Sequence, residues 1–173
     1  MQKNPKRILF IGRFQPFHNG HLHVLGNLLK QYDQVVIVLG SAESERNWRN
    51  PFTAGERVEL ISAALNKEQR LHTLLIPVRD INNHALWVSH VNDYVPSYEA
   101  IYSNNPVVNR LFRKAGVKIC TGYFKREVYE GNKIRNMIVK DNPEWKKLAP
   151  KSVVAFILSH GLDEQIKKLA SKS

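Results

Sequence analysis

A short segment near the beginning of the chain contains the residues with the clearest chemical potential. It reads Ile8-Leu-Phe-Ile-Gly12, followed by Arg13-Phe-Gln-Pro-Phe-His18-Asn-Gly20-His21. His18 and His21 stand three positions apart at the start of a helical turn, so both imidazoles can donate hydrogen bonds from the same side. Gly20 presents no Cβ to an approaching ligand, and Arg13 adds a permanent positive charge. We therefore predict that this segment binds a phosphate-bearing ligand.

The elements around this segment are those that position phosphates in parallel α/β proteins. Arg7 to Gly12 has the apolar run of a first buried strand, and Gly20 to Gln31 has helical periodicity. Ligands of open parallel sheets lie outside the carboxyl ends of the strands, where a helix N-terminus adds partial positive charge. Two incidental surface histidines are the simpler interpretation, but strand, turn, His-x-Gly-His and helix rarely occur together by chance. A P-loop and a Gly-x-Gly-x-x-Gly fingerprint are both missing, which argues against kinases and dehydrogenases.

The alternation of strands and helices continues along most of the chain. It predicts an α/β fold with a Rossmann-like, doubly wound parallel sheet of about five strands. After the first strand, four more are expected over apolar runs at Gln34 to Gly40, Leu71 to Val78, Ala100 to Tyr102 and Val117 to Thr121. Between them, helices are expected from the Thr53-Ala-Gly-Glu56 capping box to about Leu65, over Leu86 to Val95, and over Pro106 to Ala115 with Gly116 just beyond.

The last third of the chain carries helical patterns only. Asn132 is predicted to cap a helix over Lys133 to Lys140, and Asn142-Pro143 to start a short turn. Ser152 to Lys172 is an amphipathic helix broken near Gly161. We expect one domain over residues 1–173, with a parallel α/β core at 1–122 and a helical C-terminal part at 123–173.

Composition narrows the partners and the compartment. A hydrophobic content of 43% is typical of a folded protein, and the net charge of +11 attracts anions such as phosphorylated metabolites, nucleic acid or anionic membranes. The lone Cys120 cannot form an intramolecular disulfide, and the apolar run Ile8 to Ile11 is too short for a signal peptide or a membrane span. We expect a cytoplasmic protein.

The segment Gly12-Arg-Phe-Gln-Pro-Phe-His-Asn-Gly-His21 resembles the signature of the HxGH nucleotidyltransferase superfamily, whose His-x-Gly-His motif grips ATP phosphates. Three later segments resemble, in order, those of the archaeal-type nicotinamide-nucleotide adenylyltransferases: Asn50 to Arg57, Ile76 to Ile81 through Ala85-Leu-Trp87, and Tyr102 to Pro106. The similarity extends to about Ser152. It implies transfer of AMP from ATP to nicotinamide mononucleotide (NMN), which forms NAD and pyrophosphate. It also implies Mg²⁺ held mainly by substrate phosphates, with no dedicated protein metal site.

The resemblance further implies roles for individual residues. Its catalytic set would be His18, His21, Arg13 and Arg135. The ATP site as a whole would comprise residues of the first turn and of two later loops, namely Gly12, Arg13, Phe14, Gln15, His18, Gly20, His21, Arg49, Asn132 and Arg135. Ile81 and His84 would contact the NMN carboxamide, and Trp87 would stack on the nicotinamide ring, although an aromatic residue at helical spacing is more often part of a core.

One segment departs from the family pattern. The family shows a Ser-Gly-Thr-x-Ile-Arg-like run where this chain has Glu130-Gly-Asn-Lys-Ile-Arg135, so Glu130 and Asn132 replace two hydroxyl residues. A carboxylate beside a triphosphate is unfavourable unless it points away or meets a cation. Asn132 can still cap a helix.

Several alternatives remain open at the level of sequence. One is a sibling transferase with another phosphorylated acceptor, such as a pantetheine phosphate or a polyol phosphate. A second is a non-catalytic nucleotide-sensing or RNA-binding module, although no basic run is interleaved with stacking aromatics, so no nucleic-acid partner is expected. A third is membrane-surface binding through Lys167, Lys168 and Lys172, but a solvated helix face is simpler and no membrane partner is expected. The expected partners are ATP, NMN, NAD and further copies of the chain, since relatives commonly form symmetric homo-oligomers, often hexamers.

Overall fold

A parallel β-sheet forms the centre of the computed structural model, which describes residues 4–81, 83–122 and 128–172. Its five strands are β1 (Arg7–Gly12), β2 (Gln34–Leu39), β3 (Thr73–Pro77), β4 (Ala100–Ser103) and β5 (Lys118–Cys120). They lie in the order β3-β2-β1-β4-β5, and every neighbouring pair is parallel. The predicted doubly wound, Rossmann-like sheet is therefore confirmed. The strand order reverses between β1 and β4, and ligands of such sheets bind at that reversal.

Eight helices connect and cover the strands in the described ranges. They are α1 (Asn19–Leu28), α2 (Ala54–Ala64), α3 (Lys67–Leu71), α4 (Trp87–Asn92), α5 (Pro106–Lys114), α6 (Gly131–Val139), α7 (Lys151–Ser159) and α8 (Leu162–Ala170). Along β1, Ile8 and Phe10 face one core cluster while Leu9 and Ile11 face the other, as the period of a strand requires. The first cluster contains residues of α1, α2, α6, α7 and α8, and the second contains residues of α4 and α5. Both faces of β1 and β2 are thus buried, which explains their uninterrupted apolar sequences.

Capping residues set several helix boundaries where the sequence predicted them. Thr53 Oγ1 accepts a hydrogen bond from the Glu56 amide at 3.2 Å, and Glu56 Oε2 accepts one from the Thr53 amide at 2.8 Å, so the predicted capping box is confirmed. Asn142 caps a short 3₁₀ helix over Pro143–Lys147. Gly161 separates α7 from α8 with a φ of 62°, a conformation that glycine adopts without a Cβ penalty.

Several predicted boundaries differ from the observed ones: α1 ends at Leu28 and not at Gln31, and α4 ends at Asn92 and not at Val95. Two further differences have local reasons. The third strand begins at Thr73, because a capping box between Asn66 and Gln69 starts α3 and carries the chain in helical form as far as Leu71. The N-cap of α6 is Glu130, which makes no side-chain capping bond there, whereas Asn132 was predicted to occupy that position. Asn132 lies inside the first turn, where its Oδ1 accepts a hydrogen bond from Arg135 Nη2 at 3.4 Å.

The two C-terminal helices pack against the rest of the chain and against each other: α7 contacts α2, α8 contacts α6, and α7 contacts α8. Lys167, part of the basic end of α8, forms ion pairs with Asp141 at 2.5 Å and with Glu164 at 2.7 Å. Hydrogen bonds to these two carboxylates raise the pKa of Lys167. Within the ranges described, no helix has both the length and the apolar character needed to cross a membrane.

Candidate active site

A cleft of about 640 Å³ opens at the carboxyl ends of β1, β2 and β4. One wall comes from the turn after β1, from Gly12 to Gln15, together with His18 and His21. The opposite walls come from Trp87 of α4, the Ser103 to Pro106 turn, and the first turn of α6. The cleft therefore lies at the reversal of strand order, where the sequence placed the ligand.

The two histidines form a capping box at the start of α1. His18 Nδ1 accepts a hydrogen bond from the His21 amide at 3.3 Å, and His21 Nδ1 accepts one from the His18 amide at 3.3 Å. Their rings stack, with centroids 3.5 Å apart and an interplanar angle of 12°. A nitrogen that accepts a hydrogen bond carries no proton, so each neutral ring has its proton on Nε2. The backbone thus fixes the tautomer of both imidazoles.

Both rings are held in the neutral form. Burial lowers the pKa of His18 to about 3, despite an opposing backbone hydrogen bond. Burial also lowers the pKa of His21 well below its ordinary value, and repulsion from His18 lowers it further. A second proton on either ring would require protonating a nitrogen that already accepts a backbone hydrogen bond. The pair can therefore donate hydrogen bonds from Nε2, but it adds no formal charge near neutral pH.

The positive charge of the cleft comes from arginines. Arg13 is exposed at the cleft wall, whereas Arg135 is only 4% exposed. Arg135 Nη1 donates to the carbonyl oxygen of Gln15 at 2.6 Å, and its guanidinium lies 5.3 Å from the centroid of the Trp48 ring. Burial and repulsion from Arg13 lower the pKa of Arg135 to about 10, so it remains charged at neutral pH. Two like charges beside one cleft favour an anionic ligand.

The first turn of α6 approaches the turn after β1 very closely. A Cβ built at Gly131 would lie 2.7 Å from the carbonyl oxygen of Gln15 and 3.4 Å from Arg135 Nη1. The Gln15 side chain is itself fixed, because it donates to the Phe52 carbonyl at 2.9 Å and accepts from the Phe52 amide at 3.0 Å. Because Gly131 has no side chain, α6 and the turn after β1 can meet along one wall of the cleft.

The far side of the cleft combines an aromatic ring with a carboxylate. Trp87 is 8% exposed, belongs to the second core cluster and lines the cleft as well. Its buried Nε1 has no hydrogen-bond partner in the described part of the chain. Asp80 lies at the cleft edge, where its Oδ2 accepts from the Ser41 hydroxyl at 2.6 Å and its Oδ1 from the Ser41 amide at 3.3 Å.

The structure brings most of the predicted site residues together. The nine that line the cleft are Gly12, Arg13, Phe14, Gln15, His18, His21, Trp87, Asn132 and Arg135. Gly20 is buried in α1, and Ile81 is packed against the second core cluster. Arg49 and His84 are exposed. Within the described ranges, these four residues do not line the cleft, so the ligand contacts predicted for Gly20, Ile81, Arg49 and His84 stay predictions.

Several residues that shape the cleft were not selected from the sequence, among them Ser41 and Asp80 in its lining and Arg57 behind it. The sequence placed Arg57 in the capped helix without a definite role, although it shares the buried face of α2 with Leu60 and Ile61, three and four positions later. A charged residue on that face signals a buried guanidinium with specific partners. The Ser41–Asp80 pair joins residues 39 positions apart, and no local pattern announces it.

Comparison with known proteins agrees with this geometry. A family model described as cytidylyltransferase-like matches residues 9–141. A nicotinamide-nucleotide adenylyltransferase of Methanospirillum hungatei JF-1 is 45% identical over 154 residues, which cover 87% of this chain and 86% of the relative. One of Thermococcus onnurineus NA1 is 40% identical over 171 residues, which cover 96% and 90% of the two chains. The chain belongs to the nicotinamide-nucleotide adenylyltransferase family.

A solved structure shares the fold of this adenylyltransferase family member. The crystal structure of a bifunctional NMN adenylyltransferase/ADP ribose pyrophosphatase from Francisella tularensis, complexed with AMP and a Mn ion, matches with a TM-score of 0.71 at 20% identity. The match covers 95% of this chain and 52% of the Francisella chain, so this protein spans about half the length of that one. At this identity the comparison supports the shared fold.

Proposed function

We propose that this protein transfers the AMP moiety of ATP to nicotinamide mononucleotide and so forms NAD and pyrophosphate. A phosphate oxygen of NMN attacks the α-phosphorus of ATP, and the bond from that phosphorus to the oxygen bridging to the β-phosphorus breaks. The acceptor supplies its own nucleophile, so the protein needs no covalent intermediate. Positioning and neutralisation of charge on the leaving pyrophosphate are sufficient tasks for its residues.

The observation that carries the proposal is the pair of neutral histidines capping α1 inside a cleft that arginines make positive. With their protons fixed on Nε2, His18 and His21 would donate to phosphate oxygens without changing protonation state. Arg13, exposed at the same wall, would hold the triphosphate as charge builds on the bridging oxygen. Arg135 would add charge from beneath the wall while it holds the Gln15 carbonyl in place.

The acceptor would occupy the side of the cleft near α4. Trp87 offers a large aromatic face to the flat cationic nicotinamide ring, a favourable cation–π arrangement. Ile81 and His84 belong to the segment that leads into α4, and their predicted contacts with the carboxamide are part of the proposal. The cleft lining of this side includes Trp87, Asp80 and Ser41.

The donor set of the cleft fits a Mg²⁺ ion that binds together with ATP. Asp80 offers a carboxylate at the cleft edge, and the described ranges contain no group of three or more His, Cys, Asp or Glu residues placed to hold a metal. Mg²⁺ characteristically keeps several waters and takes phosphate oxygens with one or two carboxylates. When bound, it would neutralise charge on the phosphates, while the histidines and arginines orient the triphosphate.

A panel of acceptors tests the proposal directly. Purified protein is incubated with ATP and Mg²⁺ together with NMN, nicotinic acid mononucleotide, a pantetheine phosphate or a polyol phosphate, and pyrophosphate release is followed. We expect release with NMN, accompanied by NAD. Turnover with the pantetheine or polyol phosphate alone would assign a sibling transferase instead, and ATP binding without turnover on any acceptor would assign a nucleotide-sensing module.

The assembly and the compartment are part of the proposal. The family resemblance implies a homo-oligomer, often a hexamer. Exposed leucines at one edge of the sheet support this part of the proposal: Leu74 lies on the edge strand β3, and Leu71 lies just before it. Sedimentation of the purified protein tests this, and a monomer at micromolar concentration would contradict it. A cytoplasmic location is supported by the free Cys120, which suits a reducing compartment, and cell fractionation tests it.

A further inference from the structure

Among the described residues, the most deeply buried charge belongs to Arg57, on the inner face of α2. The residue is 1% exposed, and its guanidinium donates to four backbone carbonyls. Nη1 contacts the oxygens of Arg13 at 2.9 Å and Gly40 at 2.7 Å, Nη2 that of Ser41 at 3.1 Å, and Nε that of Thr53 at 3.3 Å. Burial lowers the pKa of Arg57 to about 10, which leaves it charged at neutral pH.

Three of these carbonyls lie where two strands end at the cleft, and the fourth belongs to Thr53, the N-cap of α2. Arg13 follows β1, whereas Gly40 and Ser41 follow β2, so one side chain joins two neighbouring strand ends. In the described part of the chain, the backbone also links the two strand ends through the Gly40 amide, which donates to the Gly12 carbonyl at 3.0 Å. The planar guanidinium can serve several carbonyls in a fixed geometry, which a single ammonium cannot.

Three of the four carbonyls that Arg57 contacts belong to residues that line the cleft, namely Arg13, Gly40 and Ser41. Its bond to the Arg13 carbonyl fixes the backbone from which the exposed Arg13 side chain extends. Its bond to the Ser41 carbonyl holds a residue whose φ of 51° is uncommon outside glycine, and Ser41 in turn donates to Asp80 at the cleft edge. Stability alone is a poor reason for such a group, since apolar residues of similar volume often replace buried charges without loss.

We infer that Arg57 is a positioning residue for the transfer reaction, which holds Arg13 and the Ser41–Asp80 pair at the two sides of the cleft. The inference rests on the proposed function. Arg57 does not line the cleft and acts through the backbone of residues that do. Arg57→Lys keeps the charge but loses the planar fork, so the ends of β1 and β2 lose their common anchor.

A double-mutant cycle separates positioning from simple stabilisation. ATP affinity is measured by titration calorimetry and kcat by NAD formation, for the natural protein, Arg57→Lys, Arg13→Ala and the double variant. We expect Arg57→Lys to lower kcat by at least about 10-fold, since misplacement by about 1 Å can cost 10²-fold. Arg57→Lys should also weaken ATP binding in the natural protein. In the Arg13→Ala background it should weaken ATP binding far less, because the residue that Arg57 positions is gone. The inference would be overturned if the effects of the two substitutions on ATP affinity were independent, so that the double variant showed the product of the single effects. It would also be overturned if Arg57→Lys kept the kcat of the natural protein.

Arg70→Lys serves as the matched control. Arg70 also donates to a backbone carbonyl, that of Leu65 at 3.1 Å, but it lies on α3 and does not line the cleft. Its replacement should leave kcat and ATP affinity unchanged. If Arg57→Lys does not fold, the cycle is run with Ser41→Gly, which keeps the carbonyl that Arg57 contacts and the positive φ but removes the hydroxyl that holds Asp80. An unchanged kcat in that variant overturns the inference, because the Ser41–Asp80 pair would then have no role in the reaction.

Two outcomes keep this inference distinct from the proposed function. If the substitutions at Arg57 and Arg13 have coupled effects on ATP affinity but the natural protein forms no NAD, the positioning role is supported and NMN is rejected as the acceptor. A natural protein that neither binds ATP nor forms NAD would refute the proposed function, and the inference would fall with it.

Discussion

Replacement of Gly131 by alanine tests whether the contact between α6 and the turn after β1 sets the geometry of the cleft. The added Cβ would lie 2.7 Å from the Gln15 carbonyl oxygen and 3.2 Å from its carbon. Carbon–oxygen contacts in proteins are ordinarily about 3.3 to 3.6 Å, so one partner must move by roughly 0.6 Å. The oxygen cannot simply retreat, because it accepts the hydrogen bond from Arg135 and belongs to a residue whose side chain is held by Phe52.

The expected magnitude follows from these constraints. Over-packing of a close-packed contact costs about 1 to 3 kcal/mol, and loss of the charge-assisted bond from Arg135 to Gln15 would cost about 1.5 to 3 kcal/mol. We therefore expect Gly131→Ala to lower the free energy of unfolding by about 1 to 3 kcal/mol. Because Gln15 lies two residues from Arg13 and three from His18, a shift of this size should lower kcat by roughly 10-fold.

Urea denaturation measures the stability change, and NAD formation at saturating ATP and NMN measures kcat. Gly26→Ala is the matched control, because it lies inside α1 and a Cβ there meets no heavy atom within 4 Å. Alanine is favoured over glycine within a helix by about 0.5 to 1 kcal/mol, so this control should gain stability and keep its kcat. If Gly131→Ala retained both natural kcat and natural stability, the close approach would have no role in shaping the cleft.

Three further predictions concern the charges and donors of the cleft. His18→Ala should lower kcat by about 10²- to 10³-fold while the fold persists at a cost of about 1 kcal/mol for the lost cap, as circular dichroism and NAD formation would show; unchanged pyrophosphate release would contradict the proposed donor role. The free energy of unfolding should fall as the pH drops below about 6.5 toward 3. The unfolded chain protonates His18 near its ordinary pKa of 6.5, but the folded chain does so only near 3, so the unfolded state binds more protons in this window. Urea titrations across that range should give a shallower dependence for His18→Gln, and an identical dependence would show that His18 is not buried in the neutral form. Glu130→Gln should lower the KM for ATP several-fold, because it removes a negative charge from the lining of a cleft proposed to hold a triphosphate; an unchanged KM would mean that Glu130 points away from the nucleotide.

The fold was predictable because its local and long-range signals agree. The apolar runs of β1 and β2 are typical of strands buried on both faces, and the capping box at Thr53 and Glu56 starts α2 where the sequence placed it. The errors arose where two local signals competed. Leu71 continues the apolar run of β3, but the capping box at Asn66 assigns it to α3.

The location of the site was predictable for a related reason. The carboxyl ends of neighbouring parallel strands meet at one edge of the sheet, so a motif directly after β1 must lie at the strand reversal. Arg135, 120 residues beyond Gln15, joined the prediction only through the family resemblance, since no local pattern links the two residues. The anchoring role of Arg57 was missed because its partners are backbone carbonyls, which every residue possesses and no sequence motif marks.

The protonation state of the histidines shows where chemistry depends on tertiary structure. From sequence, His18 and His21 are two groups that titrate near neutral pH and that either attract phosphate as cations or donate to it as neutral rings. The structure selects the second, because each Nδ1 accepts the amide of the other residue and burial opposes a second proton. The division of roles in the cleft follows: the imidazoles supply oriented donors, while Arg13 and Arg135 supply charge that persists at any physiological pH. Phosphate binding that relied on imidazolium would weaken as the pH rises through about 6.5, whereas this arrangement is insensitive to that change.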